Sequence, residues 1–129
     1  MLLERASQND PSQATVLAFS GNLGSGKTTI TQSIAKVLGV VDPVKSPTFL
    51  ILETYQISFN HFHKLIHIDA YRLRDVKELA NLGFTELLKN NENLIVVEWA
   101  ERVGPIIPKN AIQVFLKFVD EDTREITWH

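Results

Sequence analysis

Residues 21–28, GNLGSGKT, match the pattern GxxxxGK[ST] without a gap. The preceding residues 15–20 are apolar and β-branched, as expected for a short buried strand, and residues 28–38 carry apolar side chains at helical spacing. A strand, a glycine-rich loop and a helix in direct succession are the context that a phosphate-binding loop requires. The pattern therefore predicts this strand–loop–helix unit.

The predicted loop has the chemistry to hold a nucleotide phosphate. Its three glycines allow successive backbone N–H groups to converge on phosphate oxygens, and the next helix adds the positive end of its dipole. Lys27 is placed to reach the β and γ phosphates and the Thr28 hydroxyl to ligate Mg²⁺. Thr29 is either a first-turn helix residue or a second hydroxyl near the α phosphate. The residues predicted to contact the nucleotide here are Asn22, Leu23, Gly24, Ser25, Gly26, Lys27, Thr28 and Thr29.

Composition limits what the chain can do. The 129 residues predict a single domain, 1–129, whose residues 1–14 look like a flexible lead-in or a short capped turn. The formal net charge of −2 lacks the broad positive field of proteins that bind nucleic acid directly. We expect a cytoplasmic protein, because no secretory pattern is present and the longest aliphatic run, residues 94–97, is too short to span a bilayer. There is no cysteine, so any metal is held by oxygen or imidazole.

Two acidic residues follow predicted buried strands. Asp69 directly follows the predicted strand over residues 65–68, and Glu98 directly follows the one over residues 94–97. A carboxylate after a hydrophobic strand is the Walker B pattern, in which it positions Mg²⁺ or water. Both acids would lie at the carboxyl edge of the sheet, where ligands bind in α/β folds. The pattern leaves open which acid is the metal ligand, and Asp69 could instead be the N-cap of a helix over residues 72–79.

Further residues are candidates for the same site. Thr48 precedes a predicted strand over residues 49–55, where nucleotide switches keep a hydroxyl that contacts Mg²⁺ or the γ phosphate; a simple turn fits equally well. Trp99 directly follows Glu98 and is either a core residue or a contact for nucleotide or partner. Arg72 is a candidate for a contact with phosphate or with a partner, and Arg102 is a second candidate for a phosphate contact within the chain.

The rest of the pattern defines the fold class. Residues 57–64 predict a hairpin or loop whose two histidines fit the surface better than a metal site, because no third ligand is evident. Residues 78–88 predict one or two amphipathic helices broken at Gly83, and residues 111–119 with 124–128 predict an antiparallel hairpin. We therefore predict the α/β class: a P-loop NTPase-like three-layer fold with a mostly parallel sheet and antiparallel C-terminal edge strands.

The motifs resemble those of the TsaE family, formerly YjeE, small bacterial ATPases required for threonylcarbamoyladenosine formation on tRNA. The resemblance rests on four segments that occur in this order and at family-like spacing, across most of the chain. They are GNLGSGKTT at residues 21–29, SPTF at 46–49, HIDAYRL at 67–73 and EW at 98–99.

This resemblance implies roles for individual residues. Thr48 would act as the switch threonine and Asp69 as the Walker B acid, with Glu98 as a further acid of the Mg²⁺ site. Tyr71 and Arg72 would belong to the functional surface. The implied catalytic residues are Lys27, Asp69 and Glu98, the implied Mg²⁺ ligands are Thr28, Thr48, Asp69 and Glu98, and Thr48 and Trp99 join the loop residues in binding ATP.

It also implies an activity and partners. The chain would hydrolyse ATP with Mg²⁺, weakly alone, and act on a complex of the proteins TsaB and TsaD, reaching tRNA only through that complex. Two alternatives remain. A small-molecule P-loop kinase would need an acceptor pocket and usually an arginine-bearing lid, for which no insertion is visible; a nucleotide-dependent binding module would hydrolyse ATP only incidentally. A GTPase is disfavoured because no guanine-reading [NT]KxD sequence occurs.

Overall fold

The computed structural model describes residues 2–21, 27–40, 52–71, 73–120 and 123–129, and for residues 27–30, 118–119 and 123–124 it describes the backbone alone. The described residues form six β-strands, four α-helices and one 3₁₀ segment. In chain order these are α1 (Leu2–Ser7), β1 (Thr15–Gly21), α2 (Lys27–Val37), β2 (Leu52–Phe59), β3 (Phe62–Asp69), α3 (Val76–Asn81), α4 (Phe84–Leu88), β4 (Asn93–Glu98), the 3₁₀ segment (Ala100–Ile106), β5 (Ile112–Asp120) and β6 (Thr123–Trp128).

These strands form one sheet in the order β2-β3-β4-β1-β5-β6. The central strand β1 pairs in parallel with β4 and β5, and β4 pairs in parallel with β3. The edge strands β2 and β6 are antiparallel to their neighbours. The sheet confirms the predicted parallel centre and antiparallel C-terminal edge. It also has a second antiparallel edge, because Asn60 and His61 alone connect β2 to β3 and so short a turn permits only a hairpin.

Alternating side chains along the strands build a core on each face of the sheet. On one face, Leu17 and Phe19 of β1 pack with Val96 of β4 under α1 and α2; we call this the first core. On the other face, Val16 and Ala18 of β1 pack with residues of α3, α4 and the 3₁₀ segment. The sheet is therefore covered by helices on both sides, which is the three-layer arrangement that we predicted.

The N-terminal residues differ from the prediction. We expected residues 1–14 to be a flexible lead-in or a short turn, whereas residues 2–7 form α1. Leu3 and Ala6 are 4% and 0% exposed and belong to the first core. A helix of six residues is too short for its periodicity to be read from the sequence, and the polar residues 7–13 dominated the prediction. The lead-in prediction was wrong for residues 2–7.

Helix boundaries follow their turn residues. Gly39, just beyond α2, has φ +89°, as predicted for the residue that ends this helix. Gly83 separates α3 from α4, also as predicted. Helix α3 starts at Val76, two residues before the predicted segment 78–88 and four residues after the start of the alternative helix over 72–79. The side chain of Asp75 accepts a hydrogen bond from the Lys77 N–H at 2.9 Å and caps the helix, so Asp69 is not a helix N-cap.

Leu65 provides a test of the first core. It lies on β3, is 0% exposed, and is in register with Leu94 of β4 and Tyr55 of β2. We expect Leu65→Ala to lower the free energy of unfolding by about 2–5 kcal/mol, because it removes buried methyl groups and leaves a cavity. Urea denaturation measures the change. As a control, Val37→Ala alters a side chain that is 65% exposed, with an expected change within about 0.5 kcal/mol. Equal losses in both variants would contradict this packing.

Candidate functional site

The elements that flank the glycine-rich segment are formed as predicted. β1 ends at Gly21 and α2 begins at Lys27. Gly21 has φ +147°, a conformation that favours glycine, so the first position of GxxxxGKT is one where the backbone needs this residue. The backbone of Lys27, Thr28 and Thr29 forms the first turn of α2. Residues 22–26 lie outside the described residues, and their predicted phosphate contacts stay a prediction.

Asp69 and Glu98 lie side by side at the ends of neighbouring parallel strands. β3 ends at Asp69, β4 ends at Glu98, and the two residues are register partners. Glu98 is also in register with Phe19, two residues before the end of β1. Three carboxyl ends therefore meet at one edge of the sheet, where ligands bind in α/β folds. The structure brings the two predicted acids together beside the strand that enters the glycine-rich segment.

Both acids belong to the face that α2 covers. Residues two apart on a strand share a face, and so do register partners in neighbouring strands. Val96, two residues before Glu98, is part of the first core under α1 and α2. Asp69 and Glu98 therefore lie on the same side of the sheet as α2, whose first residues are Lys27 and Thr28. Carboxylate and hydroxyl oxygens are the ligands that Mg²⁺ prefers, so these residue types fit a magnesium site.

Glu98 is buried and bonded to a histidine. The residue is 2% exposed, and its Oε2 is hydrogen-bonded to Nε2 of His67, which is 0% exposed. His67 lies two residues before Asp69 on β3, so the three side chains share one face. Burying a charged carboxylate is costly without a partner, and His67 supplies one. No role was predicted for His67 itself. The sequence does show a polar residue inside an apolar strand, two residues before Asp69, and this position places both side chains on one face.

Asp69 is more accessible than Glu98 and is held by the turn that follows β3. Its Oδ1 accepts a hydrogen bond from the Tyr71 N–H at 3.0 Å. The Ala70 N–H donates to the Glu98 carbonyl oxygen, also at 3.0 Å. The second bond connects the end of β3 to the end of β4, and the first holds the side chain of Asp69 in the turn after β3.

Trp99 is half-buried beside the acids, where it packs against the core on the face away from α2 and contacts residues at the surface. Its backbone has φ 59° and ψ 42°, a left-handed conformation that is uncommon for a large side chain and is enriched at functional sites. The ring centroids of Trp99 and Tyr71 are 5.0 Å apart, and Cζ of Arg102 is 5.1 Å from the Tyr71 centroid. Tyr71 is 44% exposed. We call Tyr71, Trp99 and Arg102 the aromatic cluster, and it offers a contact surface at the same edge of the sheet.

Other predicted residues fall elsewhere. Thr48 and Arg72 lie outside the described residues, so their roles stay predictions. His61 is in the turn of the β2–β3 hairpin, and His63 is exposed on β3. Within the described parts of the chain, no group of three or more His, Asp or Glu side chains is placed to hold a metal ion. Helices in those parts are all too short or too polar to cross a membrane.

A cavity of about 300 Å³ lies on the opposite face of the sheet. Ser20 of β1, Gln113 of β5 and residues of the 3₁₀ segment line it, together with Lys109. Ser20 alternates with the buried Phe19 along β1, so the cavity faces the side away from α2. Neither Asp69 nor Glu98 lines this cavity.

Comparison with known proteins identifies the family. The model of the family "Threonylcarbamoyl adenosine biosynthesis protein TsaE" matches residues 2–126 of the chain. The chain belongs to the TsaE family. Curated TsaE relatives include the tRNA threonylcarbamoyladenosine biosynthesis protein of Bacillus subtilis, 37% identical over 113 residues that cover 88% of this chain and 68% of the relative. The Haemophilus influenzae protein is 34% identical, with 88% and 69% covered.

A solved structure has a similar fold. The crystal structure of Bacillus subtilis YdiB superposes with a TM-score of 0.70 at 31% identity, covering 90% of this chain and 68% of that one. The comparison confirms both the TsaE resemblance and the P-loop NTPase-like fold class. The site geometry described above is therefore set in a TsaE fold.

Proposed function

We propose that this chain hydrolyses ATP in a Mg²⁺-dependent reaction during tRNA threonylcarbamoyladenosine biosynthesis, in the cytoplasm, by acting on a complex of TsaB and TsaD. The observation that supports ATP hydrolysis most is the pairing of Asp69 and Glu98 in register, beside β1 and on the face of α2. A phosphate-binding sequence next to two strand-end acids is the combination that phosphoryl transfer to water uses. Membership of the TsaE family supports the biosynthetic role.

The proposed reaction needs positioning and charge stabilisation more than covalent chemistry from the protein. Backbone N–H groups of the loop and the N-terminus of α2 would bind phosphate oxygens. Lys27 would neutralise the charge that develops on the γ phosphate. Thr28, Thr48, Asp69 and Glu98 would supply oxygen ligands for Mg²⁺, which when bound neutralises phosphate charge. Glu98 would orient the attacking water, a role supported by its position one strand nearer to β1 than Asp69.

A protein partner fits the chain better than tRNA does. The net charge of −2 gives little attraction for a polyanion. The aromatic cluster contains tyrosine, tryptophan and arginine, the residue types that contribute most to protein interfaces. We propose that TsaB–TsaD contacts this surface and that Trp99 also contacts the nucleotide. The partner would then complete a site at which this chain alone hydrolyses ATP only slowly.

Product analysis with γ-³²P-labelled ATP tests the proposed chemistry. We expect Mg²⁺-dependent release of inorganic phosphate by this chain, and faster release when TsaB–TsaD is added. Label that passes to a small metabolite without free phosphate would instead identify a kinase. A Glu98→Ala variant that loses turnover yet fully supports tRNA modification would favour a nucleotide-dependent binding module.

A further inference from the structure

His67 is the least expected side chain in the middle of the sheet. It is 0% exposed on β3, a strand whose other inward positions are leucine, isoleucine and phenylalanine. Its Nε2 is bonded to Glu98, while its Nδ1 is buried and has no hydrogen-bond partner among the described residues. A buried polar atom without a partner is unfavourable, and such atoms in native proteins call for an explanation.

Packing alone does not explain this histidine. Two of its neighbours on the same face, Leu65 and Val96, are apolar and fully buried. The other two, Asp69 and its register partner Glu53 on β2, are half-buried acids, and the bond of Nε2 goes to neither of them but to Glu98. An apolar pair of similar volume in place of a buried histidine and carboxylate would often stabilise a fold equally or better. The imidazole thus occupies a buried position that an aliphatic side chain could also fill, and the group that it contacts is one of the two acids of the site.

We propose that His67 is a positioning residue for Glu98, an inference that rests on the proposed function. A carboxylate oxygen accepts hydrogen bonds, so in this proposal the His67 Nε2–H donates a hydrogen bond to Oε2 of Glu98. This bond fixes the rotation of the carboxylate at the end of β4. In metal sites, residues that do not touch the metal often orient its ligands by hydrogen bonds, and His67 would orient Glu98 in the same way.

Side-chain shape gives variants that separate positioning from packing. The amide nitrogen of glutamine reaches about as far as the histidine Nε2, whereas that of asparagine reaches only about as far as Nδ1. His67→Gln therefore keeps a donor for Glu98, and His67→Asn and His67→Leu do not. His63→Leu is the matched control, because His63 is an exposed histidine on the same strand.

ATP turnover in the presence of TsaB–TsaD is the first readout. We expect His67→Leu and His67→Asn to lower kcat by about 10- to 100-fold with KM for ATP unchanged, and His67→Gln to restore most of it. His63→Leu should match the unmodified chain. Wild-type turnover in a folded His67→Leu variant would overturn the proposal, as would a His67→Gln variant that is as slow as His67→Leu.

A double-mutant cycle with Glu98 shows whether the loss of turnover in His67 variants acts through Glu98. In a chain that already carries Glu98→Gln, we expect His67→Leu to cause little further loss, because the group that it positions is no longer a carboxylate. Independent, multiplying losses would overturn the proposal. Binding of a fluorescent ATP analogue and the thermal unfolding midpoint of each variant show whether it is folded.

Nitrogen-15 NMR of histidine-labelled protein tests the bond without any turnover. We expect the His67 ring to carry its proton on Nε2, and this signal to change in Glu98→Leu and not in Asp69→Asn. A ring protonated only on Nδ1 would overturn the proposal whatever the activity. If the bond is present but no ATP is hydrolysed with partners, the proposed function fails and the positioning geometry stands, so the two failures are distinct.

Discussion

Lys27→Ala is expected to lower kcat for ATP hydrolysis by about 10²- to 10³-fold while leaving the fold intact. Lys27 is the first residue of α2 and follows directly after residues 21–26, so its ammonium is the positive charge closest in sequence to the backbone that we propose to bind phosphate. Without Lys27, the negative charge that develops on the γ phosphate would lose a fixed positive partner. Water would have to reorient to stabilise that charge, whereas the ammonium is already in position. Steady-state phosphate release measures the effect.

Lys36→Ala is the control for this experiment. Lys36 belongs to the same helix, and it is exposed near the opposite end. It should retain wild-type turnover, and both variants should unfold at similar temperatures. A Lys27→Ala variant that still releases phosphate at the wild-type rate would exclude residues 21–28 as the phosphate-binding loop of an ATPase.

Glu98→Gln has the second large expected effect. The carboxylate is 2% exposed, bonded to His67 and in register with β1, so it lies nearer to the strand that enters the loop than Asp69 does. Replacing it by an amide should lower kcat by about 10²- to 10⁴-fold, the range found for loss of a group that handles the proton of the nucleophile. ATP affinity should change little.

The companion variant Asp69→Asn separates the two acids. We expect it to lower kcat less than Glu98→Gln does and to raise the Mg²⁺ concentration needed for half-maximal turnover. Glu101→Gln, an exposed acid three residues after Glu98, is the control and should behave as the unmodified chain. Equal turnover in Glu98→Gln and Glu101→Gln would contradict the assignment of Glu98 to the reaction.

The parts of this site that the sequence predicted are those with local signals. Asp69 and Glu98 each end a run of apolar residues, and the position of parallel strands then brings them to the same edge. Gly21, Gly39 and Gly83 mark turns that need or favour glycine. The antiparallel C-terminal hairpin follows from two alternating segments on either side of the acidic sequence at residues 120–122.

What the sequence did not predict depends on contacts between distant residues. The bond between His67 and Glu98 joins positions 31 apart and exists only because β3 pairs with β4. The helix α1 is too short to show periodicity, and burial of Leu3 and Ala6 against the sheet stabilises it. The left-handed backbone of Trp99 likewise has no local signature, since the sequence offers a large aromatic where glycine or asparagine would be expected.

Multi-turnover formation of threonylcarbamoyladenosine on tRNA by TsaB–TsaD, with all substrates in excess, tests the central claim most directly. With this chain, ATP and Mg²⁺ present, we expect product to accumulate over many turnovers. With Lys27→Ala, or with an ATP analogue that cannot be hydrolysed, formation should stop after the first turnover. Formation that continues unchanged when the chain is left out would contradict the account.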